Sequence, residues 1–243
     1  MTPRRLRIFA GPNGSGKTTI FKELLNNKEI ELGVYVNADD IESNLINQGS
    51  INFADYQLQI SLSELHEYFR NSEFSPIKRS EKTLWQKVKL INNQLSFNTH
   101  IDSYLSADIA EFIRQKLLFN NISFTYETVM SHQDKIKFFQ QALTKGYKVY
   151  LYYISTEDPE ININRVQIRI MLNGHAVDND TITKRYFKSL AQLKDAVKNT
   201  TRTYIFDNSG ESAKFIAEIN DGEKLTVNTA NDIPIWVMKY LLN

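Results

Sequence analysis

Residues 11–18 read GPNGSGKT, a glycine loop that ends in one lysine and one threonine. The pattern G-x-x-x-x-G-K-[ST] restricts a chain to one local shape. Gly11, Gly14 and Gly16 let the backbone turn with no side chain in the way, so amide N–H groups converge on an anion. LRIFA (6–10) before the loop reads as a strand, and Lys17 onward reads as a helix whose positive dipole end meets the same anion. Gly11, Pro12, Asn13, Gly14, Ser15, Gly16, Lys17, Thr18 and Thr19 are therefore the expected site for a nucleoside triphosphate, with ATP the expected nucleotide. Lys17 reaches the β- and γ-phosphates as a point charge, and the Thr18 hydroxyl is placed to ligate Mg²⁺.

Four further segments read as strands: GVYVNA (33–38), SFTYET (123–128), KVYLYYI (148–154) and RTYIFDN (202–208). Each is rich in β-branched or aromatic residues, and helical stretches separate them. With LRIFA they predict an α/β fold, a five-stranded, mainly parallel sheet flanked by helices. Residues 49–105 carry amphipathic segments such as YQLQISLSELHEYF and EKTLWQKVKLINNQL, joined by a turn at NSEFSPIKRS (71–80). They read as a helical insertion, about 49–105, in a single domain of 1–243. NDIPIWVMKYLL (231–242) reads as a final helix packed by Trp236.

Ligands of open α/β sheets bind beyond the carboxyl ends of the strands. Two acidic sites fall there. YVNADDI brings Asp39 and Asp40 to the end of the second strand, and FTYETVMSH brings Glu127 to the end of the third. A carboxylate in that place can take the proton of an attacking hydroxyl or hold a magnesium-bound water. The plain alternative is that one aspartate caps the helix starting at DDIESNLI. We expect one aspartate for each duty, with Asp39 the functional one. After the fourth strand, DPEININRVQIRIMLNGHAVDNDTITKRYFKSL (158–190) reads as two helices with a glycine-containing joint. Arg165 and Arg169 stand at i and i+4 on one helix face, and Arg185 lies on the next helix. Such a lid, about 158–190, can clamp a γ-phosphate.

Composition narrows the class. Hydrophobic residues are 42% and charged residues 23% of 243, as in an ordinary globular protein. Net charge is +1, so no strong field points to nucleic acid or membrane as partner. There is no cysteine, which excludes disulfides and thiolate chemistry, and no His/Asp/Glu cluster has zinc-ligand spacing. His66, His100 and His132 fit no pattern, and His175 reads as a loop residue. Glycines interrupt the apolar start of the chain, and no run approaches the length of a membrane span. The expectation is a soluble, cytoplasmic protein. Neither the Asp-x-x-Gly segment of switch GTPases nor the Asp-Glu strand end of motor ATPases is present.

AGPNGSGKTT, VNADDI, SFTYETVMSH, KGYKVYLYYISTEDPEININRV, GHAVDNDTITKRYFKSL and YIFDNSG occur in an order that resembles the zeta toxin family of P-loop kinases, over most of residues 5–210. The resemblance implies a small-kinase fold of the P-loop NTPase type. It implies transfer of the ATP γ-phosphate to the 3′-hydroxyl of the sugar in UDP-N-acetylglucosamine. Carried over by position, Lys17 and Thr18 bind ATP and Mg²⁺, Asp39 is the base, and Arg165 and Arg169 contact the transferring phosphate. Glu127 holds the acceptor with Thr128 and Ser131. Plasmid-borne members have a second aspartate where this chain has Asn37. The family's partners are small helical antitoxins that block the ATP site. Two other readings keep the nucleotide: a kinase for a different nucleotide or sugar acceptor, and an ATP-binding module regulated by a partner on the 49–105 segment.

Overall fold

LRIFA is apolar at Leu6, Ile8, Phe9 and Ala10, with Arg7 as its one polar residue, which suits a strand buried in mid-sheet. In the computed structural model β1 spans Arg5–Ala10, and Leu6, Ile8, Phe9 and Ala10 are fully buried. The structure describes residues 3–26, 30–72, 83–172, 177–228, 230 and 232–243. They form two compact units, one of Met1–Gly33 with Thr125–Asn243, the other of Val34–Phe124.

The first unit is built on β1, β6 (Phe124–Thr128), β7 (Lys148–Ser155), β8 (Arg202–Asp207), β9 (Lys214–Asn220) and β10 (Lys224–Val227). Their order is β10-β9-β8-β7-β1-β6. β1 pairs in parallel with β7 and β7 with β8, so their carboxyl ends share one edge. β9 and β10 turn back antiparallel. These two extend the five-strand expectation. Their signal was Asp221-Gly222, both at positive φ, between two alternating segments.

One sheet face carries a ladder of rings. Phe9 stacks on Tyr152 at 4.6 Å and Tyr152 on Tyr204 at 5.0 Å. Phe21 of α1 (Lys17–Leu25) meets Phe9 edge-on at 5.5 Å. On the opposite face Tyr153 bonds Ser189 and lies 5.9 Å from Trp236. Trp236 belongs to the last helical segment, which runs as Ile235–Val237 and continues as a wider π-turn over Met238–Leu242. Its indole N–H donates to the buried Asp207 carboxylate at 2.7 Å, beside two bonds from Ser209.

The second unit contains β2 (Val34–Val36), α2 (Ala38–Gln48), α3 (Leu62–Asn71) and α4 (Ser103–Phe119). It also contains a three-stranded sheet of β3 (Ile51–Asn52), β4 (Val88–Ile91) and β5 (Gln94–Phe97), ordered β3-β5-β4. This corrects the reading of 49–105 as helical. KVKLINNQL has an apolar spacing that also suits a hairpin, and the deciding residues are Asn92 and Asn93, both at positive φ in a two-residue turn. Asn93 is further fixed by its amide, which donates to Leu58 O and accepts from Ile60 N. α3 starts later than its amphipathic run, at a Ser61/Glu64 capping box. Phe53, Phe69, Phe112 and Leu95 fill this unit's core. Of the turn at 71–80, residues 73–80 lie outside the described residues.

Trp236→Phe keeps a ring against Tyr153 and deletes one donor to a buried carboxylate. It is expected to cost about 1–3 kcal/mol in urea unfolding; an unchanged midpoint would show that the Asp207 bond contributes nothing to stability.

Candidate functional site

The loop leaves β1 at Ala10 and enters α1 at Lys17. All three of its glycines are obligatory. Gly11 sits at φ +143, where a Cβ would fall 1.9 Å from Ile154 O. Gly14 sits at φ +74, where a Cβ would fall 2.5 Å from Asn162 O. Gly16 sits at φ +95, where a Cβ would fall 2.2 Å from Asn208 Nδ2. Gly16 is also the N-cap of α1; no side chain caps this end and its first turn has no acidic residue. No capping side chain and no acidic residue of this first turn therefore competes with an anion at the helix start. Lys17 folds back over the loop, and its ammonium donates to Gly11 O at 2.9 Å and Pro12 O at 2.8 Å. Among the described residues, Asn13 Oδ1 and Ser15 Oγ are buried without a hydrogen-bond partner.

The neighbouring strand ends supply the surroundings. Gly11 N donates to Thr128 O at 3.2 Å, which binds the loop to the end of β6. The Thr18 hydroxyl donates to Glu127 Oε2 at 2.9 Å. Thr128 Oγ1 accepts from Met130 N at 3.1 Å and so pins a turn in which Met130, almost fully buried, stands at φ +55. That conformation is costly for an unbranched bulky residue and persists only where the surroundings enforce it. Ser131 follows, half-buried.

α6, here α5 (Asp134–Thr144) being the helix before it, spans Pro159–Met171, with Pro159 in its first turn and Asp158 as N-cap. It carries Arg165 and Arg169 on one face, as their spacing requires. The Arg165 guanidinium donates to Asn208 O at 2.7 Å and Gly210 O at 3.0 Å. With Gly16, Thr19, Ile20 and Asn208 it borders a cleft of about 320 Å³ beside the loop. Arg169 is half-buried. α7 (Asn179–Ala191) carries Arg185, also half-buried. The two helices are held by Ile163, Val166 and Ile182. His175 and its neighbours 173–176 lie outside the described residues.

Asp39 and Asp40 stand exposed in the first turn of α2, in the second unit. Neither caps the helix. Asn37 does, accepting from Asp39 N at 2.9 Å while its amide donates to Tyr35 OH at 2.9 Å. This corrects the expectation that one aspartate caps. Asp40 adds to burial, the larger cause, in pushing the Tyr56 hydroxyl up to about 12.

The structure thus brings together the loop, Lys17, Thr18, Glu127, Thr128 and Arg165. It adds two residues that had no assigned role. Asn162 donates to Asn13 O at 2.6 Å, and Asn208 donates to Ser15 O at 2.9 Å. Asn208 lies within YIFDNSG, and its place just after a strand end was the available signal. Asn162 gave a weaker one, a polar residue on the inner face of an amphipathic helix.

The arrangement can hold a polyphosphate and a cation against one carboxylate. A family model described as Zeta toxin matches residues 92–219, more than half of the 243 residues. No curated protein matches the chain. Among solved structures, one from the PezAT chromosomal toxin–antitoxin system of Streptococcus pneumoniae superposes with a TM-score of 0.52 at 17% identity, covering 100% of this chain and 80% of that one. The AvrRxo1-ORF1:AvrRxo1-ORF2 complex with sulphate ions gives 0.57 at 14% identity, over 94% of this chain and 62% of that one. The same complex with ATP gives 0.54 at 14% identity, over 94% and 61%. The chain therefore spans under two thirds of the AvrRxo1 relative's length.

Gly16→Ala combines a left-handed backbone with a Cβ placed against Asn208. The expected cost is above the ~1–2 kcal/mol of the left-handed conformation alone. Gly49→Ala, at φ +76 with nothing within 4 Å, is the control and should lose only that amount in thermal unfolding.

Proposed function

The chain belongs to the zeta toxin family, and from that premise we propose that it is an ATP- and Mg²⁺-dependent kinase acting on a sugar hydroxyl, the 3′-hydroxyl of UDP-N-acetylglucosamine. The observation that carries the reading is the glycine loop at the sheet's carboxyl edge, with Lys17 folded over the loop, Thr18 bonded to Glu127, and two buried polar atoms of the loop left for a ligand.

In this reading the loop amides and Lys17 bind the phosphates of ATP, and the cleft bordered by Arg165 and Asn208 takes the nucleoside. Thr18 and Glu127 are an all-oxygen pair 2.9 Å apart, the donor type that Mg²⁺ selects. They would hold the ion, Glu127 through a bound water. When bound, the ion neutralises charge on the β- and γ-phosphates. The acceptor oxygen forms a bond to the γ-phosphorus, the bond from that phosphorus to the β,γ-bridging oxygen breaks, and ADP leaves. Asp39 takes the hydroxyl proton; Asn37, and not Asp39, caps α2. Arg169, with Arg165, offsets charge on the transferring group, and Arg185 supports them from α7. Glu127, Thr128 and Ser131 border the acceptor. The PezAT relative belongs to a toxin–antitoxin system, which supports a toxin role here with a separate antitoxin protein as partner. Among the described residues no helix is long and apolar enough to cross a membrane.

Purified protein with labelled ATP and Mg²⁺ is expected to add one phosphate to UDP-N-acetylglucosamine, read by product mass, and Lys17→Ala to abolish it. ATP binding without transfer to any sugar nucleotide would overturn the kinase reading. Asp39→Asn is expected to lower kcat by about 10²-fold or more with ATP affinity nearly unchanged. Loss of ATP binding in that variant would instead make Asp39 a metal-site residue.

A further inference from the structure

A loop rich in glycine has few side chains with which to fix its own peptide planes. Here two peptides of the loop are fixed from outside. The Asn13 carbonyl accepts from the Asn162 amide at 2.6 Å, and the Ser15 carbonyl accepts from the Asn208 amide at 2.9 Å. In a trans peptide the C=O and the following N–H point in opposite directions. A carbonyl drawn toward Asn162 aims the Gly14 N–H away from α6, and a carbonyl drawn toward Asn208 aims the Gly16 N–H away from the strand β8 end.

Both amides are themselves oriented. Asn162 is fully buried, and its Oδ1 accepts from the Thr156 hydroxyl, which leaves only its NH₂ group to face the loop. Asn208 is tied at its own backbone: its N–H donates to Ser155 O at 2.8 Å, and its carbonyl accepts from Arg165. The missing side chains match the clamps, because a Cβ on Gly14 would strike the Asn162 backbone and one on Gly16 the Asn208 amide.

We propose that Asn162 and Asn208 are positioning residues for phosphate binding, each aiming one loop amide, Gly14 N–H and Gly16 N–H respectively, at the nucleotide's phosphates. The inference rests on the nucleotide-binding reading above and assigns the shape of that site to two side chains outside the motif. The discriminating change is isosteric. In Asn208→Asp the donor becomes an acceptor facing Ser15 O, so the peptide is pushed the wrong way and an anion is added beside the phosphates. Asn162→Asp does the same at Asn13 O.

The test is ADP binding by calorimetry, together with ¹⁵N-glycine spectra, in which only nine glycines contribute. In the wild type, ADP is expected to move the Gly14 and Gly16 amide protons downfield. Asn208→Asp should weaken ADP about tenfold or more and lose the Gly16 shift while keeping that of Gly14; Asn162→Asp should show the converse. Asn208→Ala and Asn162→Ala, which add no charge, should show the same glycine-specific losses with a smaller drop in affinity, and they carry the test if an aspartate variant does not fold. A wild type that binds no ADP overturns the nucleotide reading and this inference with it. A wild type that binds, with variants that bind equally well or lose both glycine shifts alike, overturns this inference alone.

Discussion

Backbone N–H groups that face an anion must be kept from facing anything else, and the structure depends on how this is done. The glycines of GPNGSGKT make the loop shape accessible without holding it there. Hydrogen bonds at the parallel edge hold it: Gly11 N to Thr128 O after β1, Asn13 O to Asn162, Ser15 O to Asn208. Three different segments, the end of β6 and those following β7 and β8, each fix one peptide. A parallel sheet delivers them to one edge because every such strand ends on the same side.

The same logic explains why the site's surroundings include a strained residue. Thr128 has two duties, its carbonyl receiving Gly11 N and its hydroxyl receiving Met130 N. To do both, the chain must turn at once, and Met130 takes a positive φ to bury its side chain. Packing offsets the backbone cost. Glu127, one residue earlier, is thereby held at the strand end where the Thr18 hydroxyl reaches it.

Much of this was legible in the sequence, and the parts that were not have physical reasons. All five expected strands appear, because buried parallel strands are continuous apolar runs and VYLYYI cannot be accommodated elsewhere. The loop and both lid helices were readable from spacing and caps. The β4–β5 hairpin was not, because KVKLINNQL satisfies helical and strand periods alike, and only the left-handed capacity of Asn92-Asn93 decides. The cap of α2 is not legible either, because Asn37, Asp39 and Asp40 are all good capping residues within four positions of one another. The clamps escaped because they join residues far apart in sequence, Asn13 with Asn162 and Ser15 with Asn208, and no local pattern encodes such a pair.

Two cations at the loop, Lys17 and Arg165, are not left unsatisfied. Lys17 rests on Gly11 O and Pro12 O, and Arg165 on Asn208 O and Gly210 O. A partly buried charge with no acceptor would be costly, so backbone carbonyls offset its desolvation while leaving the net positive charge in place. A carbonyl is a neutral acceptor, and a phosphate oxygen is a charged one whose hydrogen bonds are roughly twice as strong. Exchanging one for the other is then favourable and needs only a side-chain rotation. In the reading proposed above, the loop stays fixed by its clamps while its cations move, so the energy of phosphate binding is not consumed in rebuilding the cradle.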